Sequence, residues 1–177
     1  MKVIGIKTDS RADGEFVLES LKTAVREKRV TLDDMALVSR DAEGKVQIEQ
    51  TGDATPEHGA KRGALVGALV GLAAPPLLGA AAVGAGLGAL WGKFRDRGVD
   101  DDLMKRVGEM MEQGQTVVFA VGADASIEAV AARVKAVTGG TMETFVLSEG
   151  DTALVEEVAR EIPTGMEQRE VYGIRSA

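Results

Sequence analysis

A run of thirty residues without a charged side chain, from residue 63 to residue 92, most constrains how this chain can fold. Each half of the run repeats glycine at every fourth position, at Gly63, Gly67 and Gly71 and again at Gly84, Gly88 and Gly92. Residues four apart share one face of an α-helix, so each half predicts a helix with a glycine groove. Because a glycine in a water-exposed helix costs roughly 1 kcal/mol relative to alanine, such a groove indicates close packing of backbones, as in glycine-zipper helix pairs.

Pro75 and Pro76 lie between the two halves. Two prolines remove two backbone donors and disfavour helical geometry before them, which predicts a helical hairpin or a kinked helix. The arms of such a hairpin have about 12 and 16 residues, or roughly 18 and 24 Å. The hydrocarbon core of a bilayer is about 30 Å thick, so neither arm crosses it comfortably. Leu and Val in the run favour insertion by only roughly 3–6 kcal/mol in total.

Basic residues flank the run on both sides, at Lys61 and Arg62 before it and at Lys93 and Arg95 after it. By the positive-inside tendency, both ends are expected on the cytoplasmic side of any membrane. Trp91 would suit a membrane interface. A packing tryptophan and solvated charges explain these residues equally well.

The rest of the chain predicts an α+β fold. Segments before the run follow the order β-α-β-β, and segments after it follow α-β-α-β-α. We therefore expect a ferredoxin-like β-α-β-β-[helical hairpin insert]-α-β core extended by α-β-α. The expected boundaries are 1–50 for the first half of the domain, 51–62 for a linker, 63–92 for the hairpin, 93–162 for the second half and 163–177 for a tail.

Local signals refine this expectation. The segment TVVFAVGA, from residue 116, predicts a fully buried strand. Gly114 predicts the end of the helix before it, and Ser126 predicts the N-cap of the helix after it.

The sequence contains no set of residues typical of an active site. It has no cysteine, and its one histidine, His58, lies in the polar linker and is expected to be a solvated loop residue. The segment GAGLGALWGK lacks the first glycine and the Ser or Thr of a phosphate-binding loop. A net charge of −7 disfavours nucleic acid as a partner. We expect no catalytic residue, cofactor or metal.

The tail has a short apolar pattern at Val171, Tyr172 and Ile174. It could add to a sheet edge as a docking peptide for a protein partner. A frayed terminus is the alternative.

The glycine-rich run followed by DRGVDDDLMKRVGEMMEQGQTVVFAV resembles a bacterial family of unknown function whose members are labelled predicted membrane proteins. The resemblance extends from about residue 1 to residue 162 and is most specific over residues 63–121. It implies membrane association and carries no established activity or catalytic residues.

These observations support three hypotheses. The first is a non-enzymatic homo-oligomer attached to the cytoplasmic face of a lipid bilayer through a glycine-zipper hairpin. The second is a water-soluble homo-oligomer of the cytoplasm, such as a shell or scaffold, whose hairpins bury one another. The third is a small-molecule sensor, which rests on fold analogy alone.

Overall fold

The computed structural model describes residues 2–40, 46–50, 68–69, 96, 101–111, 114–138 and 142–160. Its elements, in chain order, are β1 (Lys2–Thr8), α1 (Arg11–Arg26), β2 (Leu32–Arg40), β3 (Val46–Gln50), α2 (Asp101–Met110), β4 (Thr116–Gly122), α3 (Asp124–Thr138), β5 (Thr144–Val146) and α4 (Glu149–Ala159). The predicted α+β class is confirmed.

The strands form one five-stranded sheet in the order β3-β2-β4-β1-β5. All neighbouring strands run antiparallel. Strands β1 and β2 are joined through α1 and flank β4, while β4 and β5 are joined through α3 and flank β1. The sheet therefore consists of two interleaved split β-α-β units, with β3 added at one edge.

This strand order differs from the assignment of the first six elements to one ferredoxin-like unit. That assignment would place β3 beside β1, whereas β3 pairs with β2 and β4 lies between β1 and β2. Composition gives the physical reason. Every residue of β4 is buried, which requires a neighbour on both sides. Strand β3 has the sequence VQIEQ, whose polar residues suit an edge.

Helices α1 and α3 cover one face of the sheet, here called the α1/α3 face. The strand residues buried there are Ile4, Ile6, Met35, Leu37, Val118 and Ala120, and the helix residues packed with them are Val17, Leu18, Leu21, Ile127 and Val130. Alternate strand residues point to opposite faces. The α1/α3 face is therefore built from one set of alternating side chains in each of the three central strands.

Gly14 allows α1 to lie very close to this face. A Cβ atom at Gly14 would come 2.6 Å from Thr116 Cγ2 and 2.9 Å from Leu37 Cδ1. Ser10 precedes the helix as its N-cap, and its side chain accepts a hydrogen bond from the Asp13 backbone N–H. The cap fixes the start of the helix, and the glycine fixes its distance from β2 and β4.

The opposite face, here called the α2 face, is also buried. Its strand residues include Val3, Ala36, Val117 and Phe119, all at most 2% exposed. A Cβ atom at Gly5 would lie 3.1 Å from Met110 Cε at the end of α2. This places the end of α2 against β1.

Two helix boundaries differ from the sequence-based expectation. Ser126 was expected to cap α3, but the helix begins at Asp124, and the Ser126 hydroxyl accepts a 3.3 Å hydrogen bond from the Thr31 N–H. Helix α4 begins at Glu149 with Ser148 as its N-cap, two residues before Asp151, where the segment DTALVEEVAREI predicts the start of a last helix. Helix α2 ends at Met110, and Gly114, which was predicted to end it, follows with φ 79° and donates its N–H to Arg40 O at 2.9 Å.

Candidate functional site

Both ends of the glycine-rich run connect to the same sheet. Strand β3 precedes the run and pairs with β2, and β4 follows the run and pairs with both β1 and β2. A strand from after the run is thus inserted between two strands from before it. The chain therefore leaves this sheet after β3 and returns to the same sheet at β4.

Most residues predicted for self-association or membrane contact lie outside the described residues. This holds for Gly63, Gly67, Gly71, Pro75, Pro76, Gly84, Gly88, Trp91 and Gly92, for His58 in the linker, and for Val171, Tyr172 and Ile174 in the tail.

Two residues of the first arm are described, and both are fully buried. Ala68 and Leu69 are helical, and each is 0% exposed. Consecutive residues of an α-helix project about 100° apart. The helix is therefore covered over at least that arc by atoms of its own chain.

A shallow apolar groove of about 230 Å³ lies between α1 and α3 on the outer surface. Phe16, Arg133 and Val137 are among the residues that line it, and Phe16 and Val137 are 69% and 67% exposed. Ligand pockets usually span about 300–1,000 Å³. The groove is therefore small for a ligand site and better suited to a protein contact.

A second cleft of about 390 Å³ lies where α3 meets the edge strand β5, and its lining residues are Ala131, Ala132, Lys135, Met142 and Thr144. Val146 on the same strand is 42% exposed. Within the part of the chain that the structure describes, β5 is the last strand of the sheet, and one of its faces is partly uncovered. Its opposite face is occupied, because Phe145 lies under the Arg106 guanidinium at 5.3 Å.

Charged side chains near the start of β1 form an ion-pair group. Lys2 Nζ lies 3.1 Å from Asp124 Oδ2 and 3.7 Å from Glu128 Oε1. The hydrogen bond between Lys2 and Asp124 lowers the pKa of the aspartate and raises the pKa of the lysine. These opposite shifts are typical of an ion pair, which here ties the start of α3 to β1.

Among the described residues, no group of three or more His, Asp or Glu side chains is arranged to hold a metal ion. None of the helices within the described ranges is both long and apolar enough to cross a membrane.

The sequence interpretation missed the exposed apolar groove and the open edge of β5. A signal for the groove was present, because Phe16 is out of phase with the buried stripe of Val17, Leu18 and Leu21. No comparable signal marked β5. Its position at the edge depends on how distant strands pair.

A protein-family model described as "Protein of unknown function (DUF1269)" matches residues 60–159, which is more than half of the chain. The matched range includes the glycine-rich run and the second half of the domain. Neither the comparison with curated proteins nor the comparison with solved structures found a match.

Proposed function

The chain belongs to the family described as protein of unknown function (DUF1269), and we propose that this member is a non-enzymatic protein that associates with itself and attaches to the cytoplasmic face of a membrane. The glycine-rich hairpin of residues 63–92 would make both contacts. The non-enzymatic part of the proposal rests on the sequence, which has no cysteine and a single histidine.

The observation that carries this proposal is the interleaving of one sheet around the hairpin. Strand β4 pairs with β1 and β2, so the domain closes only when the chain on both sides of residues 63–92 lies in the same compartment. A single crossing of a bilayer would separate the two halves. A re-entrant or surface-lying hairpin is compatible with the sheet and with the basic residues at both ends of the run.

Self-association follows from the marginal energetics of the hairpin. Arms of about 18 and 24 Å are shorter than a hydrocarbon core of about 30 Å. Glycine grooves also leave backbone polar groups poorly shielded unless another helix covers them. Packing between copies would cover the short arms and would shield the backbone polar groups of the glycine grooves.

Thiol labelling tests the proposed topology, because the chain has no native cysteine. Single-cysteine variants Ala60→Cys and Arg95→Cys report the two ends of the hairpin. Ala132→Cys reports the domain, because Ala132 is exposed on α3. In intact cells an impermeant maleimide should label none of the three, and after permeabilisation it should label all of them.

Labelling of only one hairpin end in intact cells would contradict the proposal. Fractionation without detergent tests the attachment itself. The native protein should sediment with membranes and be released by detergent but not by high salt, because a hydrophobic contact is not screened by ions.

A water-soluble homo-oligomer is the second candidate, and the burial of Ala68 and Leu69 favours it. These two side chains are covered by their own chain and are therefore not available for contact with lipid. In this case the native protein would remain in the detergent-free supernatant as a discrete particle larger than a monomer.

A further inference from the structure

Strand β5 presents a regular hydrogen-bonding edge. Leu147 N–H donates to Val3 O at 2.9 Å, and Lys7 N–H donates to Glu143 O at 2.9 Å. Successive residues of an antiparallel strand direct their backbone groups to alternate sides. The odd-numbered residues of this segment therefore bond to β1.

The even-numbered residues Thr144 and Val146 direct their N–H and C=O groups away from β1. Among the described residues, no strand pairs with this outer edge. Thr144 is exposed, and Val146 is 42% exposed. The edge thus offers two donors and two acceptors, the N–H and C=O groups of Thr144 and Val146, to a pairing strand.

We infer that this edge pairs with a second copy of the same chain. In an antiparallel arrangement, Thr144 of one copy lies opposite Val146 of the other, and each of these pairs exchanges both of its hydrogen bonds. The arrangement is symmetric about Phe145, as an isologous two-fold interface requires. It would continue the sheet from five strands to ten.

Side chains on both faces suit this register. Thr144 and Val146 oppose Ile6 and Ile4 in the sheet, so they lie on the α1/α3 face, where they would form β-branched cross-strand pairs with their counterparts. Phe145 opposes Gly5 and lies on the α2 face. Two Phe145 side chains would then meet at the two-fold axis as an aromatic pair.

Charge favours a second copy as the occupant. Edge strands commonly avoid pairing by carrying lysine, proline or inward-pointing charges, and Thr144–Val146 has none of these. The nearest acid, Glu143, lies 3.5 Å from Lys7 of its own chain. Two copies can therefore approach without bringing unpaired carboxylates together, and the Arg106 side chain over Phe145 in each copy has to point away from the two-fold axis.

The strand is only three residues long, so this contact is weak by itself. The inference is independent of the hairpin and goes beyond the proposed function.

Disulfide trapping tests the register. Phe145 would face its counterpart as a non-hydrogen-bonded pair, with Cα atoms about 4.5 Å apart, within the disulfide range of about 4.4–6.8 Å. Phe145→Cys in the full chain should form a covalent dimer under mild oxidation. Val137→Cys is the matched control, because Val137 is 67% exposed but lies on α3. We expect at least tenfold more covalent dimer for Phe145→Cys.

Val146→Pro provides the second test. Proline is tolerated on an edge strand where the lost N–H faces outward, so pairing with β1 should survive. Added to Phe145→Cys, it should abolish the covalent dimer. Val146→Lys in the cysteine-free chain should lower the dimer fraction in sedimentation velocity, with an unchanged circular dichroism spectrum.

Three results would overturn the inference. One is equal trapping at Val137, which would place the contact at the groove between α1 and α3. Another is trapping at Phe145 that Val146→Pro leaves unchanged. The third is an intramolecular disulfide between Phe145→Cys and Tyr172→Cys, which would show that the tail covers the edge.

Repeating the trapping with Gly67→Ile separates this inference from the proposed function. Covalent dimer that persists when larger oligomers are lost would support an edge contact independent of the hairpin. Loss of the covalent dimer together with the oligomers would count against such a contact.

Discussion

Gly14 gives the sharpest test of how α1 is held against the sheet. In Gly14→Ala the added methyl group would lie 2.6 Å from Thr116 Cγ2, 2.9 Å from Leu37 Cδ1 and 3.3 Å from Thr8 Oγ1. Carbon atoms pack best at about 3.5–4.0 Å, so the first two contacts overlap by roughly half an ångström to one ångström. Overpacking of this kind typically costs about 1–3 kcal/mol.

Alanine also brings a gain, because it is favoured over glycine in a helix by about 1 kcal/mol. The net change for Gly14→Ala should therefore be a destabilisation of up to about 2 kcal/mol. Gly150→Ala is the matched control, because Gly150 also lies in a helix and its nearest neighbour, Ser148 Oγ, would be 3.8 Å away. That variant should be as stable as the parent or up to about 1 kcal/mol more stable.

Urea unfolding of the two variants measures the difference through their midpoints at constant m-value. Because of the overlap, Gly14→Ala should unfold at a lower urea concentration than Gly150→Ala. Its free energy of unfolding should be lower by about 1–3 kcal/mol. Thr116→Ser removes the Cγ2 atom and should recover part of the loss in the Gly14→Ala background, which a double-mutant cycle would detect. Equal stability of the two alanine variants would refute the close approach of α1.

Three further predictions follow from other parts of the molecule. Ser148→Ala removes the acceptor for the Asp151 N–H and should lower the free energy of unfolding by about 1 kcal/mol in urea; no loss would mean that α4 does not depend on its cap. The pKa of Asp124 is lowered by the hydrogen bond from Lys2, so its contribution to stability is present above the unfolded-state pKa and is lost as pH falls through the folded pKa. In Asp124→Asn the free energy of unfolding should therefore fall less steeply as the pH is lowered into the acid range. An unchanged acid dependence would argue against the ion pair. Gly67→Ile should reduce oligomer size in light scattering while Leu65→Ile does not, because only the first places a β-branched side chain in the glycine groove; unchanged oligomers would refute the zipper.

The elements that sequence alone predicted are those whose residues carry a complete local signal. TVVFAVGA predicted a fully buried strand, and all of Thr116–Gly122 is buried. The segment KVIGIKT predicts a short buried strand, and its bounds agree with those of β1 because polar residues follow Thr8 directly. The strand assignment of such segments follows from their local composition and does not depend on which distant segments they contact.

The pairing of strands was harder to predict, because it depends on contacts distant in sequence. Strand β3 follows β2 closely in sequence, which made it a candidate for the centre of the sheet. The more apolar β4 occupies that position instead. The N-cap prediction for Ser126 was wrong for a related reason, because its hydroxyl accepts a hydrogen bond from the N–H of Thr31, which is distant in sequence. Of the candidate site, the glycine grooves remain a prediction, and the β5 edge emerged only from the topology.

The interleaved sheet also has a consequence for the timing of synthesis. Strands β1 and β2 leave the ribosome well before β4, which must enter between them. From residue 40 to residue 116, translation at about 5–20 residues per second takes roughly 4–15 s. During that interval the central strands lack their middle neighbour, and the apolar run of residues 63–92 emerges while the domain is still open. Contact of the nascent run with a bilayer or with another chain would therefore precede closure of the sheet, so partner choice can be made during translation.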